Sequence, residues 1–165
     1  RPYRKPEGDV SQSCQTPDVF ANTVMQEVLV HPRIIKGAEE ILGGGPLALD
    51  GTVLFAANEG MRYRQGWHRD SITIPDEHAG AIQLHTTKQW RHNNVQINVA
   101  LLNDKAFWCV PGSHVRPRTE AEQNAMRCAE NASSSMWAEM PGAINVEVKP
   151  GWAVAMQNNI IHRGA

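Results

Sequence analysis

The string Gly66-Trp67-His68-Arg69-Asp70 sets an imidazole and a carboxylate two positions apart. In an extended segment, residues i and i+2 point to the same side, so His68 and Asp70 can reach one ion together. A neutral imidazole and a carboxylate are suitable ligands for Fe(II). A third ligand must come from elsewhere, and His162 is the candidate. It follows the Gln157-Asn158-Asn159 turn at the mouth of a short strand. Two histidines and one carboxylate would make a facial triad, which leaves coordination positions open for substrates. His-x-Asp alone arises often by chance; a distal histidine at a strand start, in a β-rich setting, gives it weight.

Other side chains carry less. His31 precedes Pro32 and reads as a turn residue. His78, His85 and His92 lie in a polar, weakly patterned stretch, and His114 closes the turn Pro111-Gly112-Ser113-His114. Gly43-Gly44-Gly45-Pro46 follows a helical pattern rather than joining a strand to a helix, which argues for a helix end and against a phosphate loop. Arg62, Arg64, Arg69 and Arg91 cluster in sequence near the candidate ligands and could meet an acidic substrate, although solvated surface positions are the commoner use of arginine. Cys14, Cys109 and Cys128 are odd in number and far apart, without Cys-x-x-Cys, and read as reduced thiols of a cytoplasmic protein.

The elements that would hold these groups follow from patterning. The first fifteen residues read as an irregular lead-in. Thr16-Pro17-Asp18 is a helix start, with Phe20, Val24, Val28 and Leu29 on one face. Pro32 opens a second helix with Ile34, Ile35, Ala38, Ile41 and Leu42 apolar. From Gly51 the pattern turns to short strands: Val53–Ala56, Ala81–Leu84, Asn94–Leu102, Phe107–Val110, Asn145–Val148, Ala153–Met156 and Ile160–His162. In Asn94–Leu102, Val95, Ile97, Val99 and Leu101 alternate with Gln96, Asn98 and Ala100. Thr119-Glu120-Ala121-Glu122 is a capping box that starts a helix reaching about Glu130. Helices first, then many short strands, suggest a sandwich or barrel with helical decoration.

The 165 residues are 41% hydrophobic and 20% charged, with 16 Lys+Arg against 17 Asp+Glu and a net charge of -1. A chain of this size buries roughly 70% of its unfolded surface, enough for one domain with a real core. There is no basic excess to neutralise phosphates, so nucleic acid is a poor partner. No apolar run approaches the ~18 residues of a membrane span.

Taken in order, Gly66–Asp70, then Asn94–Leu102 (NVQINVALL), then Val110-Pro111-Gly112-Ser113-His114, then Pro150-Gly151 leading to Ile161-His162-Arg163-Gly164, resemble the phytanoyl-CoA dioxygenase family. The resemblance implies a mainly β fold with flanking helices: a cupin-like double-stranded β-helix, or jelly roll. Residues 1–165 would form one domain, with residues 1–50 its helical part and 51–165 the jelly-roll core. It implies Fe(II) held by His68, Asp70 and His162, with 2-oxoglutarate and O2 as cosubstrates and hydroxylation of an aliphatic carbon of a small molecule. Asn98 matches a strand position that contacts 2-oxoglutarate in relatives, and Gln96 shares its polar face. The Asp70 carboxylate favours hydroxylation over halogenation, because halogenating relatives carry a small residue there.

Two departures stand out. Relatives fix the distal carboxylate of 2-oxoglutarate with an arginine beyond the distal histidine, whereas this chain ends at Ala165. Arg163 is no substitute, since strand alternation aims it opposite to His162. A chain truncated at both ends, lacking its last strands, is the expectation, and the piece itself would be inactive if its cosubstrate site is incomplete. Trp152 stands where relatives often carry Asp after Pro-Gly. Two other readings stay open: an inactive metal-binding jelly roll, and a cupin-type iron oxygenase that does not use 2-oxoglutarate. Neither the substrate nor the oligomeric state is readable.

Overall fold

A computed structural model describes residues 12–14, 23–49, 51–52, 54–56, 65–70, 94–131 and 139–164. They belong to two compact units, Arg1–Tyr63 and Arg64–Ala165.

The first unit contains β1 (Gln12–Cys14), α1 (Thr23–Leu29), α2 (Pro32–Leu42) and β2 (Leu54–Ala56). Strand β1 lies in the segment expected to be irregular; it pairs antiparallel with β2, Ser13 opposite Phe55. Short isolated strands of this kind carry no alternation to betray them, because their partner is distant in sequence. The Thr16-Pro17-Asp18 start lies outside the described residues. Helix α2 begins as expected: Pro32 occupies the first turn and His31 caps it, its Nδ1 accepting from Arg33 N at 3.3 Å. It ends at Gly43, whose φ of 84° suits a residue without Cβ, while Gly44 N donates to Glu39 O at 2.8 Å. The triple glycine is thus a C-terminal cap, at the wrong helix end for a phosphate.

The second unit holds β3 (Gln65–His68), β4 (Gln96–Val99), β5 (Phe107–Cys109), a 3-10 turn at Ser113–Val115, α3 (Glu120–Asn131), β6 (Ile144–Asn145), β7 (Ala153–Met156) and β8 (His162–Gly164). A four-stranded antiparallel sheet runs in the order β3-β8-β5-β6, and a two-stranded sheet pairs β4 with β7. An isolated bridge between Asp104 and Val148 extends the β5–β6 pairing. Among the described residues the strands form small sheets and no closed barrel.

Alternation gives the larger sheet two unlike faces. On one, Trp67 and Trp108 join Val110, Met126, Met140 and Ile161 in an apolar cluster, with α3 packed over β3 through Met126 and Ala125. On the other, Phe107 and Cys109 pack with Met156 and Val154 of β7. The second cluster joins the two sheets. Helix α3 starts with the expected capping box: Glu122 N donates to Thr119 Oγ1 at 3.2 Å, and Thr119 N donates to Glu122 Oε2 at 2.7 Å. No described helix is long and apolar enough to cross a membrane.

Candidate metal centre

Strand β3 ends on His68 and β8 begins on His162, and the two are register partners in the antiparallel pair. A β-bulge between Gln65 and His68 shifts the pairing just before the histidine, a device that re-aims a side chain. The turn after β3 carries Asp70, whose backbone N–H donates to Asn158 O at 3.0 Å. His68 Nε2 lies 3.0 Å from Asp70 Oδ1, and His162 Nε2 lies 3.5 Å from Asp70 Oδ2. The two imidazole centroids are 4.2 Å apart. One donor atom from each of the three residues falls within 4.8 Å of the others, close enough to converge on one ion.

The local hydrogen bonds fix which nitrogen faces the centre. His68 Nδ1 sits 2.7 Å from Gly66 O and His162 Nδ1 sits 3.0 Å from Ile160 O. A carbonyl can only accept, so in each neutral ring Nδ1 carries the hydrogen and Nε2 presents its lone pair. His68 Nε2 is buried and makes no hydrogen bond, although a carboxylate oxygen stands at 3.0 Å. A lone pair and an anionic oxygen repel unless both aim at a cation, so this orphaned atom fits a metal ligand.

Electrostatics shifts Asp70 and His162, each for its own reason. Burial pushes the Asp70 carboxyl up, but the His68 contact and the charges of His162 and His68 outweigh it, and the net shift is downward. Burial, reinforced by His68, holds His162 below the usual imidazole range against the opposing pull of the Ile160 carbonyl and Asp70. A charged carboxylate and a neutral imidazole are the forms that bind a metal.

The Pro111–His114 turn braces both ligand-bearing segments from behind. Ser113 Oγ accepts from Ile161 N at 2.8 Å, one residue before His162. Ser113 O accepts from Arg69 Nη2 at 2.9 Å, and Arg69 sits between the other two ligands. Arg69 also donates to Arg116 O at 3.1 Å. It is 5% exposed, so neither sequence expectation holds for it: Arg69 is not a solvated arginine, nor is it free to meet a substrate. Burial and the charges of Arg118 and Arg116 depress it to about 10, with Glu122 opposing. His114 belongs to this brace, as expected for the turn, and its carbonyl accepts from Asn159 Nδ2 at 3.3 Å. His78, His85, His92, Arg62, Arg64, Arg91 and the Ala81–Leu84 segment lie outside the described residues.

Gln96 and Asn98 stand on β4, where Gln96 Nε2 donates to Asn98 Oδ1 at 3.1 Å. Their cross-strand partners are Met156 and Val154, which pack against Phe107 and Cys109. Directly opposed residues share a face. The polar pair therefore faces the inter-sheet layer that contains Phe107, whose ring centroid is 5.9 Å from that of His162. Sequence reasoning missed Phe107, Cys109 and Met156 as the apolar wall of this layer; Cys109 is the direct partner of His162. Their only signal was the pair of short apolar runs Phe107–Val110 and Ala153–Met156. Arg163 is aimed away from His162, as alternation required, with its guanidinium carbon 4.6 Å from the Trp67 ring centroid and 5.1 Å from that of Trp108.

Paired antiparallel strands here bring a His-x-Asp turn and a distal histidine to one point, a donor set that could hold a single metal ion in a mainly β protein. The family model described as "Phytanoyl-CoA dioxygenase (PhyH)" matches residues 9–165, and the chain belongs to that family. The family's cofactor set, Fe(II) with 2-oxoglutarate and O2, agrees with the donor set of the site. Among solved structures, the chain is similar to "the non-heme alpha ketoglutarate dependent epimerase SnoN from nogalamycin biosynthesis". The TM-score is 0.62 at 20% identity, over 100% of this chain and 60% of that one. The likeness shows the fold, and this chain spans about 60% of that structure's length. No curated protein matches the chain significantly.

Proposed function

We propose that the chain is an Fe(II)- and 2-oxoglutarate-dependent dioxygenase domain that hydroxylates an aliphatic carbon of a small-molecule substrate. The observation that carries this reading is the convergence of one donor atom each from His68, Asp70 and His162 within 4.8 Å, with His68 Nε2 buried and without a hydrogen bond. His68, Asp70 and His162 would hold the ion, and the negative charge of Asp70 would offset part of the metal's charge. The chemistry supplied by the bound ion is activation of O2, coupling conversion of 2-oxoglutarate to succinate and CO2 with oxidation of a substrate C–H bond. Asn98 and Gln96 supply amide groups toward the cosubstrate from the facing sheet, and Phe107, Met156 and Val154 exclude water from that layer.

The architecture we assign to residues 1–165 is one dioxygenase domain built on a double-stranded β-helix. The shared core of the two sheets and the family membership support it. A cytoplasmic setting belongs to the same reading and rests on the cysteine pattern.

Anaerobic titration of Fe(II)-loaded protein with 2-oxoglutarate, followed by its visible charge-transfer band, tests the site. A saturable band lost in His68→Ala is expected. Iron binding without the band would turn the reading toward a metal-binding jelly roll or an iron oxygenase that does not use 2-oxoglutarate. Absence of iron binding in folded protein would overturn it. Product analysis then separates hydroxylation from epimerisation, the reaction of the similar epimerase SnoN.

A further inference from the structure

The face of the larger sheet opposite the metal centre carries a stack of three side chains. Trp67 on β3, Arg163 on β8 and Trp108 on β5 are each the chain neighbour of a residue on the metal-facing side: His68, His162 and Cys109. The Arg163 guanidinium carbon lies 4.6 Å from the Trp67 ring centroid and 5.1 Å from that of Trp108. Trp67 is 4% exposed and Arg163 is 9% exposed, so the contacts are screened from water. Trp108 is the register partner of Arg163, and β8 lies between β3 and β5.

We propose that Arg163 is a positioning residue for the metal ligands, holding β3, β8 and β5 in register through its paired contacts with Trp67 and Trp108. The inference rests on the metal-centre reading above. Its physical basis is the pleat: neighbouring side chains leave opposite faces of one backbone, so a slip or twist of β8 against β3 moves Arg163 and His162 together. The need for such a clamp is local. A bulge interrupts the β3–β8 ladder between the Gln65–Gly164 and His68–His162 pairs, so the pairing that sets His68 opposite His162 is not continued by an unbroken ladder toward Gln65. A planar cation stacked against aromatic rings resists sliding in a way that an aliphatic contact does not. Direct hydrogen-bond partners of metal ligands change affinity about ten- to a hundredfold when removed, and a shift of ligand-bearing strands acts on the same ligand geometry.

Co(II) titration of the full chain provides the test, with near-UV circular dichroism confirming the fold. Wild type is expected to give a saturable d–d band. Arg163→Met should weaken Co(II) binding about ten- to a hundredfold and alter the band's shape, which reports ligand placement rather than stability. If Arg163→Met does not fold, Trp108 decides: Trp108→Leu should weaken and reshape the band, and Trp108→Phe, which keeps a ring under the guanidinium, should restore it. Unchanged affinity and band in folded Arg163→Met, or indistinguishable Leu and Phe variants, would overturn the positioning role alone. No Co(II) band in folded wild type would instead defeat the metal-centre reading, and the inference with it.

Discussion

Ser113 has no exposed surface, and its two oxygens hold different parts of the centre. Its hydroxyl satisfies Ile161 N beside His162, and its carbonyl takes a guanidinium hydrogen from Arg69 between His68 and Asp70. Ser113→Ala leaves the Ile161 N–H buried without a partner, at a cost of about 1–3 kcal/mol. Denaturant unfolding should show the loss as a lower midpoint with an unchanged slope. The convergence of His68, Asp70 and His162 was legible in the sequence because His-x-Asp obeys the two-residue period of a strand and His162 opens one. The brace was not. Ser113 and Arg69 stand 44 positions apart, and no local pattern announces that an arginine between two ligands will turn inward to a carbonyl. The Trp67–Arg163–Trp108 stack is hidden for the same reason: it exists only once three distant strands are in register.

Helix α3 is secured at its start by a buried acid. Glu122 is 1% exposed, receives Arg116 through contacts of 2.8 and 2.6 Å, and closes the capping box with Thr119. Burial raises its carboxyl, but the Arg116 hydrogen bonds and the Thr119 N–H outweigh that, and the net shift is downward. A carboxyl depressed in the folded state contributes stability that is complete above the ordinary carboxylate range and lost as pH falls through the depressed value. Glu122→Gln should therefore lower stability by about 1–3 kcal/mol at neutral pH. The difference from wild type should shrink in acid, measured as unfolding midpoints between roughly pH 2 and 7. The capping box, the Gly43 stop and the run Ala153–Met156 were all legible, since each depends on neighbours within four residues. In β4 the alternation was legible but its sense was not: the polar Gln96 and Asn98 share the side of buried Met156, while Leu101 beyond the strand end is 64% exposed. Which side turns inward is decided by the facing sheet.

Across the chain, the described contacts that fix the centre belong to the second unit, Arg64–Ala165. A ligand that binds only the folded state adds about 2.7 kcal/mol at a hundred times its dissociation constant. For 150–250 residues that corresponds to roughly 5–10 °C in melting temperature. Co(II) at that excess should raise the melting temperature accordingly, and hydrogen exchange should slow at Gln65–Asp70 and Ile160–Gly164. Equal melting curves with and without the ion, in protein shown to bind it, would contradict a centre built only in the folded state. The overall class was legible in the order of helices and short strands. Whether the strands close was not, because closure depends on pairings between segments far apart in the chain.

Each histidine of the centre bonds its Nδ1 to the carbonyl two residues before it. The bond that seats each imidazole thus lies within a three-residue span, Gly66–His68 or Ile160–His162, and involves neither β4 nor β7. Such an arrangement is separable from its surroundings: substitutions in the facing sheet can change that layer while both Nδ1 bonds stay as they are.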